Sequence, residues 1–368
     1  MIESIGMKNK EKKKTYLNKN AQSSRFVGIN GFGRIGRAIF RILLERNNYD
    51  CIVINDINPD INHIAYQLKY DSLYGTLKND VQVEGACILI DGEKRVFVYN
   101  MKDIDAVPWK KHKVSYIVES SGIHRNIIRA RRLLGIVEKV IVTNSPLERH
   151  VDRTVIMGVN EGDIDMKKDF LISSSICDAL AIGQALNLLD KNYEIENGFV
   201  TTLHPWLSHQ NLLDGPSPII SYPGYKNTHY AGGRASPTSL LPKPTTAVSA
   251  VNKVLPNLKG KLRCFSYRVP TGTVSSSDIS LHVKKETAEE ELNNLFENAA
   301  QNQKYPNISV NYEHLVSIDF RGSEYSAIVD GRWTMVQGGT FIKMVLWYDN
   351  EWGYGSSVVN LIDFLSSR

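Results

Sequence analysis

The chain is poor in cysteine. Cys51, Cys87, Cys177 and Cys264 are the only four in 368 residues, and no C-x-x-C pair occurs. That spacing excludes a zinc ribbon and a redox dithiol, and no metal site is expected. Such sparse use fits a reducing compartment, so a cytoplasmic location is expected. Long apolar runs are also missing; none approaches the ~18 residues of a membrane helix. The first 24 residues lack an apolar stretch, so no secretory leader is expected there. No repeat of 20–50 residues is present, which excludes solenoids and propellers. One-sided charge is absent from the body of the chain. The net charge is +5, but Lys8, Lys10, Lys12, Lys13, Lys14 and Lys19 stand against only Glu3 and Glu11 in residues 1–24. That Lys-rich stretch reads as a disordered, solvated basic tail, and neither nucleic acid nor membrane is expected as a partner.

What is present is ordinary globular usage, 42% hydrophobic and 23% charged. This excludes fibrous and wholly disordered chains. The length suits two or three domains burying roughly 75% of their unfolded surface.

Order is expected from residue 25. Residues 26–30 read as a short buried strand, followed by Gly31-Phe-Gly-Arg-Ile-Gly36 and a helical pattern over 37–46. Residues 51–56, 114–118 and 139–142 read as further apolar strands, with a basic helix over 124–134 between the last two. Strands alternating with helices imply βαβ units and a mostly parallel sheet. The pattern changes near Ser173. A helix over 177–189 precedes strands at 199–203, 266–269, 278–283, 316–320 and 326–329, the pattern of an α+β domain with a largely antiparallel sheet. A long loop over 214–246, rich in Gly, Pro and Ser, is expected to be ordered and functional. The chain closes with a strand at 341–348 and a helix at 354–365. The expected fold class is thus α/β: a Rossmann domain over 25–175, a catalytic α+β domain over 176–340, and a closing strand and helix over 341–368.

The glycine motif has every contextual requirement of a dinucleotide site. It follows a strand, opens a helix, and has Asp56 twenty residues past Gly36 at the end of the next strand. Gly31 permits the tight turn, Gly33 lets the backbone approach a pyrophosphate, and Gly36 lets helix and strand pack closely. The helix N-terminus offers unpaired N–H groups to phosphate. Asp56 would accept from ribose hydroxyls and repel a 2′-phosphate, which favours NAD. Cys177 opens an apolar helix, where free N–H groups and the dipole lower a thiol pKa. A nucleophilic thiol also needs a base. His204 ends the 199–203 strand, where a parallel neighbour can present it.

Eight motifs occur in one order and spacing: Asn30-Gly-Phe-Gly-Arg-Ile-Gly-Arg37, Ile54-Asn-Asp56, Glu119-Ser-Ser-Gly122, Met157-Gly-Val-Asn160, Thr201-Thr-Leu-His204, Asp214-Gly-Pro-Ser217, Arg268-Val-Pro-Thr271 and Trp347-Tyr-Asp-Asn-Glu-Trp-Gly353. Together they resemble the glyceraldehyde-3-phosphate dehydrogenase family over about residues 25–368. The segments 326–331 and 349–353 are similar to its erythrose-4-phosphate dehydrogenase branch. The resemblance implies a homotetramer that binds NAD, with the strand and helix over 341–368 returning to the NAD domain. It implies that Cys177 attacks an aldehyde, that His204 activates the thiol, and that hydride transfer leaves a thioester. It also implies that Asn350 binds the nicotinamide carboxamide and that Arg34, Ile35 and Thr143 are further cofactor contacts.

Departures from the family cluster around the substrate. Where the family reads Ser-x-x-Ser-Cys-Thr-Thr-Asn-Cys, this chain reads Ser173-Ser-Ser-Ile-Cys-Asp-Ala-Leu-Ala181. Ile176 and Asp178 replace two hydroxyls that help bind the incoming phosphate. Asp178 would repel that phosphate and oppose thiolate formation at Cys177. Thr245 keeps a third phosphate contact, with Thr246 in place of glycine. Leu207 replaces a threonine of the substrate-phosphate site. Arg234 matches the second of two loop arginines, and Ala231 falls where the substrate-binding one belongs. Arg268 remains as an anion-binding arginine, while Pro205, Trp206, His209 and Lys243 are unusual around the expected pocket. The expected activity is therefore NAD-dependent oxidation of a small-molecule aldehyde with remodelled phosphate sites and water as a candidate acyl acceptor. One alternative is a phosphorylating glyceraldehyde-3-phosphate or erythrose-4-phosphate dehydrogenase. Another is a non-catalytic NAD-binding or moonlighting protein.

Overall fold

Two sheets organise the molecule. The structure is a computed structural model and describes residues 25–47, 49–217 and 230–368. The Lys-rich tail and the insertion at 218–229 lie outside the described residues.

The first sheet has nine strands. In spatial order they are Arg153–Thr154, Leu171–Ser173, Lys139–Val142, Val114–Glu119, Phe26–Asn30, Asp50–Asn55, Lys94–Tyr99, Cys87–Ile90 and Val81–Glu84. All neighbours are parallel until the last two strands, which form an antiparallel edge hairpin. The central strands read FVGIN and VSYIVE and are almost wholly buried, as a sheet covered on both faces requires. Strand order reverses at Phe26–Asn30, which lies between Asp50–Asn55 and Val114–Glu119. Ligands of open α/β sheets bind at such a switch point, outside the carboxyl ends. A polar ladder crosses those ends. Asn55 Nδ2 donates to Asn30 Oδ1 at 2.6 Å, and Asn30 Nδ2 donates to Glu119.

The second sheet has eight strands. Leu241–Lys243, Leu262–Val269, Ile195–Pro205, Ser275–Val283, Phe341–Tyr348, Ala327–Asp330 and Ile308–Asn311 run in that order, with Met335–Gln337 beside Phe341–Tyr348. Antiparallel pairs dominate, and two pairs are parallel. The helix Cys177–Tyr193 is buried along most of its length, with Leu180, Ile182, Leu186 and Leu189 in the main core. The final helix, Trp352–Ser366, packs against Arg34–Arg46; a Cβ on Gly355 would stand 3.1 Å from Ile42 Cδ1. The expected combination of a Rossmann sheet with an antiparallel-rich second sheet is what the chain forms.

One expected strand is absent. Residues 316–320 alternate like a strand, yet Ser317–Phe320 is a 3-10 turn. The Asp319 carboxylate accepts from the Val316 N–H at 2.8 Å and closes the turn. Val316 and Ile318 then face solvent, while Phe320 stacks on Trp347. Periodicity saw the alternation but not the local carboxylate cap. In the described part of the long loop, Tyr230–Gly233 is a 3-10 turn and Leu241–Lys243 is an edge strand.

Candidate active site

The glycine loop sits at the switch point. Gly31 has φ +91°, and a Cβ there would stand 2.4 Å from Ser121 backbone atoms. On Gly36 a Cβ would meet the Gly31 carbonyl at 2.3 Å, whereas on Gly33 it would meet nothing within 4 Å. So Gly31 and Gly36 are fixed by packing, and Gly33 borders open space. The helix Arg34–Arg46 has Gly33 as its N-cap with no side-chain cap, and its first intrahelical bond is Arg37 N–H to Gly33 O. The amides of Arg34, Ile35 and Gly36 therefore lack intrahelical partners. Asp56 holds the loop: one carboxylate oxygen accepts from Phe32 N–H at 2.7 Å, the other from Asn58 N–H at 2.8 Å. The Arg34 side chain turns away from the loop to pair with Asp71 and Glu351. Thr143 ends the Lys139–Val142 strand, its hydroxyl donating to Glu119 O at 3.1 Å.

Asn350 links the Phe341–Tyr348 strand to the last helix. It is buried, and its Oδ1 has no hydrogen-bond partner among the described residues. An orphaned buried acceptor is costly and calls for a donor. A carboxamide N–H₂ is such a donor, so Asn350 and the open space at Gly33 both fit a nicotinamide dinucleotide.

The thiol stands beyond. Ser175 has φ +62°, a rare conformation for a residue with a Cβ. It is strapped in place: the Tyr354 hydroxyl lies 2.7 Å from Ser174 Oγ and donates to Ser175 O at 3.2 Å. This bend delivers Cys177 to the first position of its helix. Its Sγ lies 3.7 Å from His204 Nε2 and 3.6 Å from Asp178 Oδ1. His204 Nδ1 is 2.8 Å from the Pro205 carbonyl. A carbonyl only accepts, so Nδ1 carries the hydrogen and Nε2 offers its lone pair to the thiol. Across parallel strands His204 is directly paired with Arg268, and beyond Arg268 lies Leu241–Lys243.

The electrostatics correct one expectation. A helix N-terminus was expected to lower the thiol pKa. The backbone N–H of Asp178 at the helix start does pull the thiol down, as does Arg268, but burial, reinforced by the Asp178 charge, outweighs both and pushes Cys177 well above its usual range. Burial and then Arg268 bring His204 down to about 4, so it is neutral near pH 7. Burial and Arg268 also lower Lys243 to about 8.

The other expected substrate residues make local contacts. Arg234 is exposed and pairs with Asp214 of its own loop at 2.9 Å. Thr245 Oγ1 accepts from Ala247 N–H at 3.3 Å, and Leu207 N–H donates to Gln210 at 2.8 Å. Conversely, sequence reading missed Tyr348, whose hydroxyl donates to Asp178 Oδ1 at 2.8 Å and accepts from Ser277 Oγ at 3.3 Å. No local sequence signal marks this role; the packed strand Phe341–Tyr348 alternates in burial and turns Tyr348 inward.

Family comparisons agree with this geometry. Residues 25–127 match the family model described as the NAD binding domain of glyceraldehyde 3-phosphate dehydrogenase, and 176–350 match that of its C-terminal domain. A glyceraldehyde-3-phosphate dehydrogenase of Priestia megaterium is 34% identical over 342 residues, covering 93% of this chain and 98% of the relative. The chain belongs to the glyceraldehyde-3-phosphate dehydrogenase family. Other members are similar at the same level. Glyceraldehyde-3-phosphate dehydrogenase 1 of Bacillus cereus is 35% identical over 93% of this chain and 98% of its own length. The Neurospora crassa enzyme is 33% identical over 92% and 97%. Membership makes this chain an NAD-dependent dehydrogenase with a small-molecule substrate.

Proposed function

We propose that this dehydrogenase oxidises an aldehyde through a covalent intermediate on Cys177, and that its acyl-release step departs from phosphorolysis. The observation that carries the reading is the Cys177 Sγ–His204 Nε2 approach of 3.7 Å, with the imidazole tautomer fixed by Pro205. As Sγ attacks the carbonyl carbon, His204 Nε2 takes the thiol proton. A neutral imidazole suits that role. The imidazolium returns the proton to the new alkoxide, giving a thiohemiacetal. Bound NAD supplies the hydride acceptor. When the hydride leaves, His204 again holds the hydroxyl proton and a thioester remains on Sγ. The NAD-holding groups are the turn at Gly31, Gly33 and Gly36, the amides of Arg34 and Ile35, Asp56 for the ribose, Thr143, and Asn350 Oδ1 for the carboxamide. The working division is 25–175 for NAD, 176–340 for catalysis and 341–368 returning to the first unit. A homotetramer in a reducing, cytoplasmic setting completes the reading, in keeping with four unpaired cysteines.

Asp178 supports the departure. Its carboxylate faces Sγ, where the family has a phosphate-binding hydroxyl. Two like charges at ~4 Å cost roughly 1–4 kcal/mol at effective dielectrics of 80 to 20. The same carboxylate can orient a water toward the thioester, which then yields a carboxylic acid and restores the thiol. The decisive assay is NADH formation with glyceraldehyde 3-phosphate and an aldehyde panel, with and without inorganic phosphate. Phosphate-independent turnover to an acid is expected, and Cys177→Ala should lower kcat by at least about three orders of magnitude. A phosphate-dependent rate with an acyl phosphate product would establish the second reading, an ordinary phosphorylating enzyme. Arg268 and Lys243 on adjacent strands favour that reading, as a paired cationic site for an anionic substrate.

A further inference from the structure

Spacing along the chain carries no metal signature, but the fold assembles one. Cys177, Asp178 and His204 each offer one donor atom, and the three donors lie within 4.8 Å of one another. The measured edges are 3.6 Å from sulfur to oxygen and 3.7 Å from sulfur to nitrogen. Around a tetrahedral zinc ion, with bonds of about 2.3 Å to sulfur and about 2.0 Å to nitrogen, adjacent donors stand about 3.5 Å apart. Both edges at the sulfur match this spacing, and the third is at most 4.8 Å.

The groups behind the donors also fit. A metal-bound imidazole normally donates its other N–H to a carbonyl or carboxylate. His204 Nδ1 already does so to Pro205 O. A metal-bound carboxylate is normally held by a donor of its own. The Tyr348 hydroxyl serves Asp178 in this way at 2.8 Å. Asp178 and His204 are buried while Cys177 is partly exposed, so a fourth position remains open on the sulfur side. Three protein ligands of mixed S, N and O type with one open position suit a borderline-soft divalent ion. Magnesium and calcium, which demand oxygen ligands, do not suit it.

We propose that Cys177, Asp178 and His204 form a three-ligand site for a divalent cation of the zinc class, and that the bound ion masks the Cys177 sulfur. Binding replaces the S–H bond by an S–metal bond and releases that proton to solvent; no redox change occurs. Asp178 is the residue that turns a thiol–imidazole dyad into a metal site. The ligand set does not depend on the aldehyde reading.

The test is a Co²⁺ titration of the full-length protein, freed of metal with EDTA and saturated with NAD. One Co²⁺ per chain is expected, with a thiolate-to-cobalt charge-transfer band in the near ultraviolet and tetrahedral visible bands that Zn²⁺ abolishes. Bound Zn²⁺ should slow alkylation of Cys177 by iodoacetamide at least tenfold, and EDTA should reverse this. Cys177→Ser should remove the near-ultraviolet band. Asp178→Thr, which installs the family's residue type and keeps the dyad, should weaken Co²⁺ binding at least tenfold. Equal binding by wild type and Asp178→Thr overturns the three-ligand site, as does the absence of a thiolate band at millimolar Co²⁺. Circular dichroism of each variant separates ligand loss from unfolding. Turnover plays no part in this readout, so a failed aldehyde screen counts against the aldehyde reading and leaves the metal result standing.

Discussion

At Cys177 two neighbours pull in opposite directions. Arg268 favours the thiolate and Asp178 disfavours it, with burial on the side of Asp178. Removing the Asp178 charge should therefore move the thiol down. Asp178→Asn is expected to shift the pH profile of iodoacetamide alkylation to lower pH and to speed alkylation at pH 7; an unmoved profile would show that burial alone sets the thiol. His204 gives a second prediction. Its pKa falls from 6.5 in the ordinary state to about 4 in the fold. Between those values the unfolded chain holds a proton that the native chain does not. Stability is thus complete above pH 6.5 and declines as pH falls toward 4, by roughly 3 kcal/mol at 1.36 kcal/mol per unit. Urea midpoints at pH 7 and pH 4.5, compared between wild type and His204→Gln, isolate this contribution as the part the variant lacks. Cys177 and His204 were legible as a helix start and a strand end. The sign of the thiol shift was not, because burial is a property of the packed molecule. The bond from Tyr348 to Asp178 spans 170 residues of sequence and leaves no local trace.

Among elements, the helix Arg34–Arg46 separates two kinds of glycine. Gly33→Ala meets open space, so the thermal midpoint without NAD should hold while the NAD Kd rises at least about tenfold, because a methyl intrudes on the pyrophosphate approach. Gly36→Ala drives a Cβ against the Gly31 carbonyl and should cost about 1–3 kcal/mol of stability as well. Calorimetry with and without NAD tells the two apart; equal destabilisation by both would contradict the assignment. Strands with strong patterns were read to the residue, as at Lys139–Val142 and Phe341–Tyr348. Element ends were read less well. The first helix begins at Arg34 rather than 37, since its cap is a glycine without a side-chain signal. Residues 316–320 were misread because a carboxylate three residues on outcompetes alternation.

At the scale of the molecule, the last helix ties the two sheets together. Arg46 donates to Ser356 Oγ at 2.5 Å, Asn360 Oδ1 at 2.7 Å and Glu324 at 2.9 Å, and Arg34 is held by Glu351. Arg46 is largely buried, and hydrogen bonds to a charged group contribute about 1.5–3 kcal/mol. Arg46→Ala should lower stability by that order and loosen the last helix, seen as faster amide exchange over 352–366. Because Asn350 precedes that helix and Gly33 precedes its partner, NAD held by both residues, as proposed, would bridge the two sheets. NAD at a hundred times its Kd should add about 2.7 kcal/mol to one shared unfolding transition. Two transitions, of which only one responds to NAD, would show that the sheets melt apart. The two-sheet plan was legible in the switch from βαβ alternation to β-rich sequence. The bridging was foreseen only through family resemblance, because no pattern in 352–366 names the helix it packs on.

The contact between Arg25 Nη1 and the Ser366 carbonyl, 2.5 Å apart, carries a topological consequence. The first strand starts where the last helix stops, so residues 25–368 trace a nearly closed ring. A ring has no privileged opening point. A short glycine–serine bridge from 368 to 25, with new ends cut at the exposed Gly85 turn of the edge hairpin, should yield a circular permutant with the same core and the same NAD affinity. The segment 25–84 would then leave the ribosome last instead of first, without altering the molecule the chain builds.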